Sequence, residues 1–309
     1  NTTSDSAVAS MKDSMKSIQS LVQKALTATT SSEGKATIAD EIESAKNTIY
    51  SLANSNTSGQ YLFSGNSSST QAFQKDATTG KITYIATNDN KSVNVETGSY
   101  TTQGVNGIEL LYYTNNTAQA GEDLTFDENE IILDKNGNQY KLLDNDNDGS
   151  FDGLYLNGDS SNTPLTVTDN GDGSFTVNNA GTTALQSKYS IFDDLDKIIN
   201  ALKQQDSSGN TITEDEATTL LSDALSTVTN AYDTMNITHA KLGTRTASIE
   251  NYESIVQSKL TNFNLLQENY SAADLTALAI ESQSLESTYT ALYSTISKIN
   301  NLSLVKYLN

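Results

Sequence analysis

Apolar residues near the start of the chain recur at steps of three and four. Val8, Met11, Met15, Ile18, Val22 and Ala25 form one stripe, and Ile38, Ile42, Ala45, Ile49 and Leu52 form a second. That period places each set on one face of an α-helix. The polar stretch 27–34 separates them, and so short a connection predicts an antiparallel helical hairpin.

From about Tyr61 to Gly181 the period changes to two. Ile82, Tyr84 and Ala86 alternate with polar or flanking positions, as do Val93 and Val95. Ile131 to Leu133 and Tyr140 to Leu143 flank Lys135-Asn136-Gly137-Asn138, and Asn-Gly between alternating segments predicts a β-hairpin. A second hairpin is expected between Leu165 to Thr168 and Ser174 to Val177.

Beyond this segment the helical period returns, with three capping-box patterns at Ser190/Asp193, Thr213/Glu216 and Ser271/Asp274. The second opens a long stripe: Leu221, Ala224, Val228, Ala231, Met235, Thr238, Leu242, Arg245, Ile249, Tyr252, Val256, Lys259, Phe263 and Leu266. Its steps alternate strictly between three and four, and only Thr238, Arg245 and Lys259 are polar. The third precedes Leu278, Ser282, Leu285, Tyr289, Leu292, Ile296 and Ile299. A 3.5-residue period sustained this long predicts helix-on-helix seams. A helix of about 50 residues spans about 75 Å, more than a globular domain is wide. The expected fold class is therefore α+β: an elongated, coiled-coil-like helical rod with an inserted all-β domain. The rod takes 1–60 and 187–309 and the insert 61–186, with 272–309 as a terminal polymerisation helix.

Composition narrows what such a fold can do. Apolar residues make up only 36% of the 309 positions and Trp is absent, which suits thin domains with much surface per residue. A net charge of -20 excludes nucleic acid and an anionic membrane surface as partners. It also keeps copies apart until specific contacts form. Without cysteine there is no disulfide framework and no thiolate site. No apolar run reaches the length of a membrane span. The chain starts at Asn1 and enters a helical pattern at once, as expected of a fragment of a longer protein.

Candidate chemistry is sparse. Asp144-Asn145-Asp146-Asn147-Asp148-Gly149 with Asp152 copies the start of a calcium loop, but its twelfth position is Tyr155 rather than Glu. An Asx-rich turn is the expected reading, with calcium at Asp144, Asp146, Asp148 and Asp152 as the alternative. The loop 169–173 reads as a hairpin connection. His239, the only histidine, has no partner for a zinc site or triad and is expected to be partly exposed on its helix. Arg245, the only arginine, sits on the apolar stripe, where it should set register through a carboxylate or a backbone carbonyl. The acidic pairs Asp193–Asp194 and Glu214–Glu216 lie in helix first turns, where negative charge suits the macrodipole. No catalytic residue and no cofactor is expected.

Gly59-Gln60-Tyr61-Leu62-Phe63-Ser64-Gly65, Ala240 to Arg245 leading into Ile249 and Glu250, and the tail Asn301 to Leu308 together resemble the flagellar hook–filament junction family (the third hook-associated proteins). The first helix, Ser6 to Leu26, is similar to that family's second N-terminal rod segment. The likeness covers both helical regions and leaves the β-insert unmatched. Two further long helices usually precede the matched start and are absent from this sequence.

The resemblance implies a structural subunit of the bacterial flagellum, exported and extracellular, joining hook to filament. Its implied partners are further copies of itself, the hook-side junction protein, flagellin and an export chaperone. A flagellin or a secreted calcium-dependent module is the alternative. The family motif is carried by Gly59, Tyr61, Leu62, Phe63 and Gly65. The expected rod seam is Leu242, Arg245, Ile249, Tyr252, Val256 and Phe263. The expected assembly interface is Leu278, Leu285, Tyr289, Leu292, Ile296, Ile299, Leu302, Leu304, Tyr307 and Leu308.

Overall fold

The computed structural model describes residues 2–27, 31–96, 98–181 and 183–307, and for Glu96 and 299–307 the backbone alone. It divides into two compact units, Asn1–Ile249 and Glu250–Asn309.

The first unit opens with the helical hairpin, α1 (Thr2–Ala25) and α2 (Ser32–Ala53). Both stripes are buried where the period places them: Val8, Met11, Met15, Ile18 and Val22 in α1, and Ile38, Ile42 and Ile49 in α2. Each such side chain is worth about 1.5–3 kcal/mol in the core. Ser31 caps α2 by accepting from the Gly34 N–H at 3.2 Å. At the other end Asn54 pairs with Phe73 as a strand residue would, donating to its carbonyl and accepting from its N–H, both at 2.9 Å.

Three small hairpins follow: β1 (Asn56–Thr57) with β2 (Gln60–Tyr61), β3 (Phe73–Lys75) with β4 (Ile82–Tyr84), and β5 (Lys91–Glu96) with β6 (Ser99–Gln103). The short helix α3 (Gly107–Leu111) comes next. Then come β7 (Tyr112–Ala118), β8 (Asp123–Asp127), β9 (Ile131–Asp134), β10 (Gln139–Leu143), β11 (Gly153–Leu156), β12 (Val167–Asp169), β13 (Ser174–Asn178) and β14 (Leu185–Ser190). They build a five-stranded sheet in the order β11-β10-β9-β14-β7 and a three-stranded sheet β12-β13-β8. Both hairpins expected from the sequence form, with Tyr140 opposite Ile132 and Val167 opposite Val177. Leu124, Phe126, Ile132, Leu154, Phe175, Val177 and Leu185 make a β core.

A second, larger core joins hairpins and helices. Phe63, Phe73, Ile82, Ile108, Leu110 and Tyr113 share it with α1, α2, α4 (Ile191–Leu202) and the first turns of α5 (Glu214–Tyr307). Ser190 caps α4 through the Phe192 N–H. Thr213 and Glu216 form the reciprocal capping box, 2.8 Å and 3.3 Å. Gln19 reaches Thr229 and Asp5 reaches His239, so α1 runs antiparallel to α5, and Lys35 of α2 reaches Glu214. Lys46 pairs with Asp196, and Lys203 with Glu43.

The expected start of a new helix at Ser271 is absent. Residues 271–274 lie inside α5, which is continuous from Glu214 to Tyr307. Each residue already has its helical hydrogen bonds there, so no orphan N–H needs a cap.

Candidate assembly surface

The family-motif residues occupy a joint between the helical hairpin and the β-elements. Ser58 and Gly59, with φ of 54° and 80°, make the left-handed two-residue turn between β1 and β2. Phe63 is fully buried, and its carbonyl accepts from the Gly107 N–H at 2.8 Å. Tyr61 and Leu62 are half-buried. Gly65 has φ of 60°, and a Cβ there would lie 2.3 Å from the Asp89 carbonyl oxygen and 2.5 Å from that of Thr87. No other residue type fits without moving that backbone.

Along α5 the seam residues divide. Leu221, Val228, Met235 and Leu242 are buried within the first unit. Arg245 does what a lone arginine on a stripe was expected to do, with both kinds of partner. Its guanidinium grips Glu109 through two nitrogens at 3.0 Å and 3.2 Å and donates to the Gly104 carbonyl at 2.7 Å. Asn90 donates to the same carboxylate at 2.9 Å, and Lys241 stands 3.7 Å away. Burial pushes the Glu109 carboxyl up, but Arg245, Asn90 and Lys241 outweigh it and hold it below the ordinary carboxylate value. Thr238, two helical turns earlier on the same face, donates to the Glu109 backbone carbonyl at 2.6 Å. The sequence pointed to Arg245 but missed Glu109, Asn90 and Gly104. Asn106-Gly-Ile-Glu109 followed by two leucines was the available signal. Asn106 caps α3 and accepts from the Glu109 N–H at 2.8 Å.

His239 is partly exposed, as expected, between Asp5 at 2.8 Å and Lys12 at 3.3 Å. In the Asp-rich loop, Asp144, Asp146 and Asp152 each bring one carboxylate oxygen within 4.8 Å of the others. Asp148 stands outside that group. The Asp144 oxygens already accept from the Asp148 and Gly149 N–H groups, and Asp152 from that of Asn145, while Asp146 and Asp148 each accept from the N–H two residues on, as in Asx turns. Tyr155, at the twelfth position, is a buried strand residue.

Of the expected seam, Ile249 is half-buried. In the second unit Tyr252 is half-buried and the apolar stripe beyond it lies open. Val256, Phe263, Leu278, Leu285, Tyr289, Leu292 and Ile296 are all exposed, Phe263 at 68% and Tyr289 at 67%. Leu260, Leu266, Tyr270 and Tyr293 extend the open surface. The side chains of Ile299, Leu302, Leu304 and Tyr307, and the whole of Leu308, lie outside the described residues. So many large apolar groups open on one helix make this stripe the candidate interaction surface. None of the described helices is long and apolar enough to cross a membrane.

Comparison with known proteins gives a consistent fold. FlgL from Xanthomonas campestris superposes with a TM-score of 0.55 at 18% identity, over 86% of this chain and 92% of that one. Flagellar hook-associated protein 3 from Legionella pneumophila gives 0.53 at 18% identity, over 89% and 90%. A putative flagellar hook-associated protein from Vibrio parahaemolyticus gives 0.52 at 13% identity, over 84% and 80%. The chain shares their fold: helices from both chain ends with β-structure between them. Neither a protein-family model nor a curated protein sequence matches it.

Proposed function

We propose that this chain is a structural subunit of the bacterial flagellum that joins hook to filament and carries out no catalysis. The carrying observation is the open apolar stripe of α5 from Val256 to Ile296, on a fold shared with flagellar hook-associated protein 3 and the flagellar junction protein FlgL of Legionella pneumophila. A stripe in heptad register is built to receive other helices. In this reading it buries itself between neighbouring copies, the hook-side junction protein and flagellin. The terminal polymerisation helix is 272–309, with Ile299, Leu302, Leu304, Tyr307 and Leu308 continuing the surface. The helical parts, 1–60 and 187–309, carry assembly, and 61–186 forms the outward insert. The chain is exported to the cell exterior, and an export chaperone covers the stripe until assembly.

Mechanism here is burial with register. The strongly negative chain resists unspecific association, so contact forms only where apolar side chains interdigitate. The Arg245–Glu109 grip fixes α5 against α3 within the first unit. Deleting the gene in its own bacterium should leave hooks without filaments and flagellin monomers in the medium, both restored by the wild-type gene. Normal filaments in the deletion strain would refute this function.

A further inference from the structure

One cleft of the first unit borders the Arg245–Glu109 pair, but the rest of its lining plays no part in the function proposed above. It has a volume of about 1030 Å³ and is lined by β7, β9, β14, α3, α5 and the segment 88–90, large enough for a ligand of several rings. Its lining is mostly amide, hydroxyl and charge: Gln119, Asn136 and Gln186 supply amides, and Thr102, Thr117 and Thr234 hydroxyls.

The charge in it is unevenly placed. Glu109 already has the Arg245 guanidinium and the Asn90 amide. Lys241 stands beside it at 3.7 Å, and Lys188, which donates to the Thr114 hydroxyl, completes three cations around one carboxylate. This occurs on a chain of net charge -20. Lys135 also lines the cleft, so its four cations face three carboxylates, Glu109, Asp134 and Asp89. The Asp134 oxygens are turned to their own loop, accepting from the Asn136 and Asn138 N–H groups and the Asn138 amide at 2.8–2.9 Å, and Asp89 is exposed. Burial and the like charge of Lys241 push the Lys188 pKa down, and Glu109 offsets them only in part. An anion between the two lysines would relieve this. A bare anion would leave the amides and hydroxyls unused, whereas a polyhydroxylated anion uses both.

We propose that this cleft binds an acidic saccharide, with its carboxylate or sulfate between Lys188 and Lys241 and its hydroxyls on the amide and hydroxyl lining. None of these residues belongs to the assembly stripe, so this site and the proposed function can fail separately.

The test is calorimetric titration of the purified chain, at low ionic strength so that charge is not screened. The titrants are trigalacturonic acid, a sulfated oligosaccharide, neutral maltotriose and inorganic phosphate. An acidic saccharide should bind, and whether the uronate or the sulfate binds identifies the anion. Lys188→Gln and Lys241→Gln should each weaken it about tenfold, equal to about 1.4 kcal/mol, while Lys16→Gln on α1 changes nothing. Lys241 is half-exposed, so its variant serves even if Lys188→Gln misfolds. Four results would each overturn the proposal. These are no binding of either acidic saccharide, equal binding of maltotriose, phosphate binding as tightly as the saccharide, or saccharide binding untouched by Lys241→Gln.

Discussion

Single residues hold the first unit together at points where the sequence shows a motif without its reason. Gly65 is one. Its φ of 60° and the carbonyls crowded around it leave no room for a methyl group, so Gly65→Ala should cost about 1–3 kcal/mol in urea denaturation. Arg245 is another. Its removal leaves the Glu109 carboxylate, only a fifth exposed, without its main partner, and Arg245→Ala should cost about 3–5 kcal/mol. The pH dependence has a definite sign. The lowered pKa of Glu109 gives stability that is present above its ordinary 4.5 and lost as pH falls through the folded value. In Arg245→Ala that contribution should vanish, so the deficit is largest near neutral pH and shrinks in acid.

Asp193 and Asp194 behave in the opposite way. Burial raises them to about 6 and about 7, the Asp194 carboxyl facing Tyr113 and Thr227, and one Asp194 oxygen lacks a hydrogen bond. Raised values favour the protonated folded state, so their contribution is fully present below the ordinary 3.8 and is lost as pH rises through 6 and 7. Asp194→Asn should therefore be more stable than the wild type at pH 8, by on the order of 1–3 kcal/mol. It should lose most of that advantage at pH 5, read by urea denaturation at the two values. The sequence placed this pair in a helix first turn, but not that α4 would bury it against β7, because burial is set by long-range packing.

At the scale of elements, periodicity was legible wherever one face packs locally. The α1 and α2 stripes, both hairpins and the Thr213/Glu216 box could all be read directly. The break expected at Ser271 could not. From Leu266 the stripe proceeds to Tyr270, Asp274 and Leu278 by three steps of four before the alternation resumes. A slip of this kind looks like a helix boundary in sequence, yet a helix absorbs it by a local change of supercoil without breaking. The two readings differ at Ala272. In a new helix capped by Ser271 it would be the first helical position, where proline is favoured. Inside continuous α5 proline costs about 3 kcal/mol and removes a hydrogen bond. Ala272→Pro should therefore lower the far-ultraviolet helical signal, and an unchanged spectrum would restore the boundary. Strands β7, β8, β11 and β14 were less legible, since polar residues such as Asn115, Asn116 and Gln186 interrupt the alternation and only the assembled sheets supply their partners.

At the scale of the whole molecule, the composition that argued for thin domains fits two units, with a wide core in the first and a bare stripe in the second. The sequence showed that the stripe exists. It could not show which part would be covered, because that depends on α1 and α3 reaching Leu242 and Arg245 from far away in the chain. The central claim is that the distal stripe awaits other helices. Sedimentation velocity over roughly a hundredfold range of concentration tests it, because only self-association follows mass action. The wild-type chain should move to heavier species as concentration rises, and Leu285→Asp combined with Leu292→Asp should hold it monomeric with an unchanged circular dichroism spectrum. A wild-type chain monomeric at every concentration, or a double variant that associates as the wild type does, would contradict it.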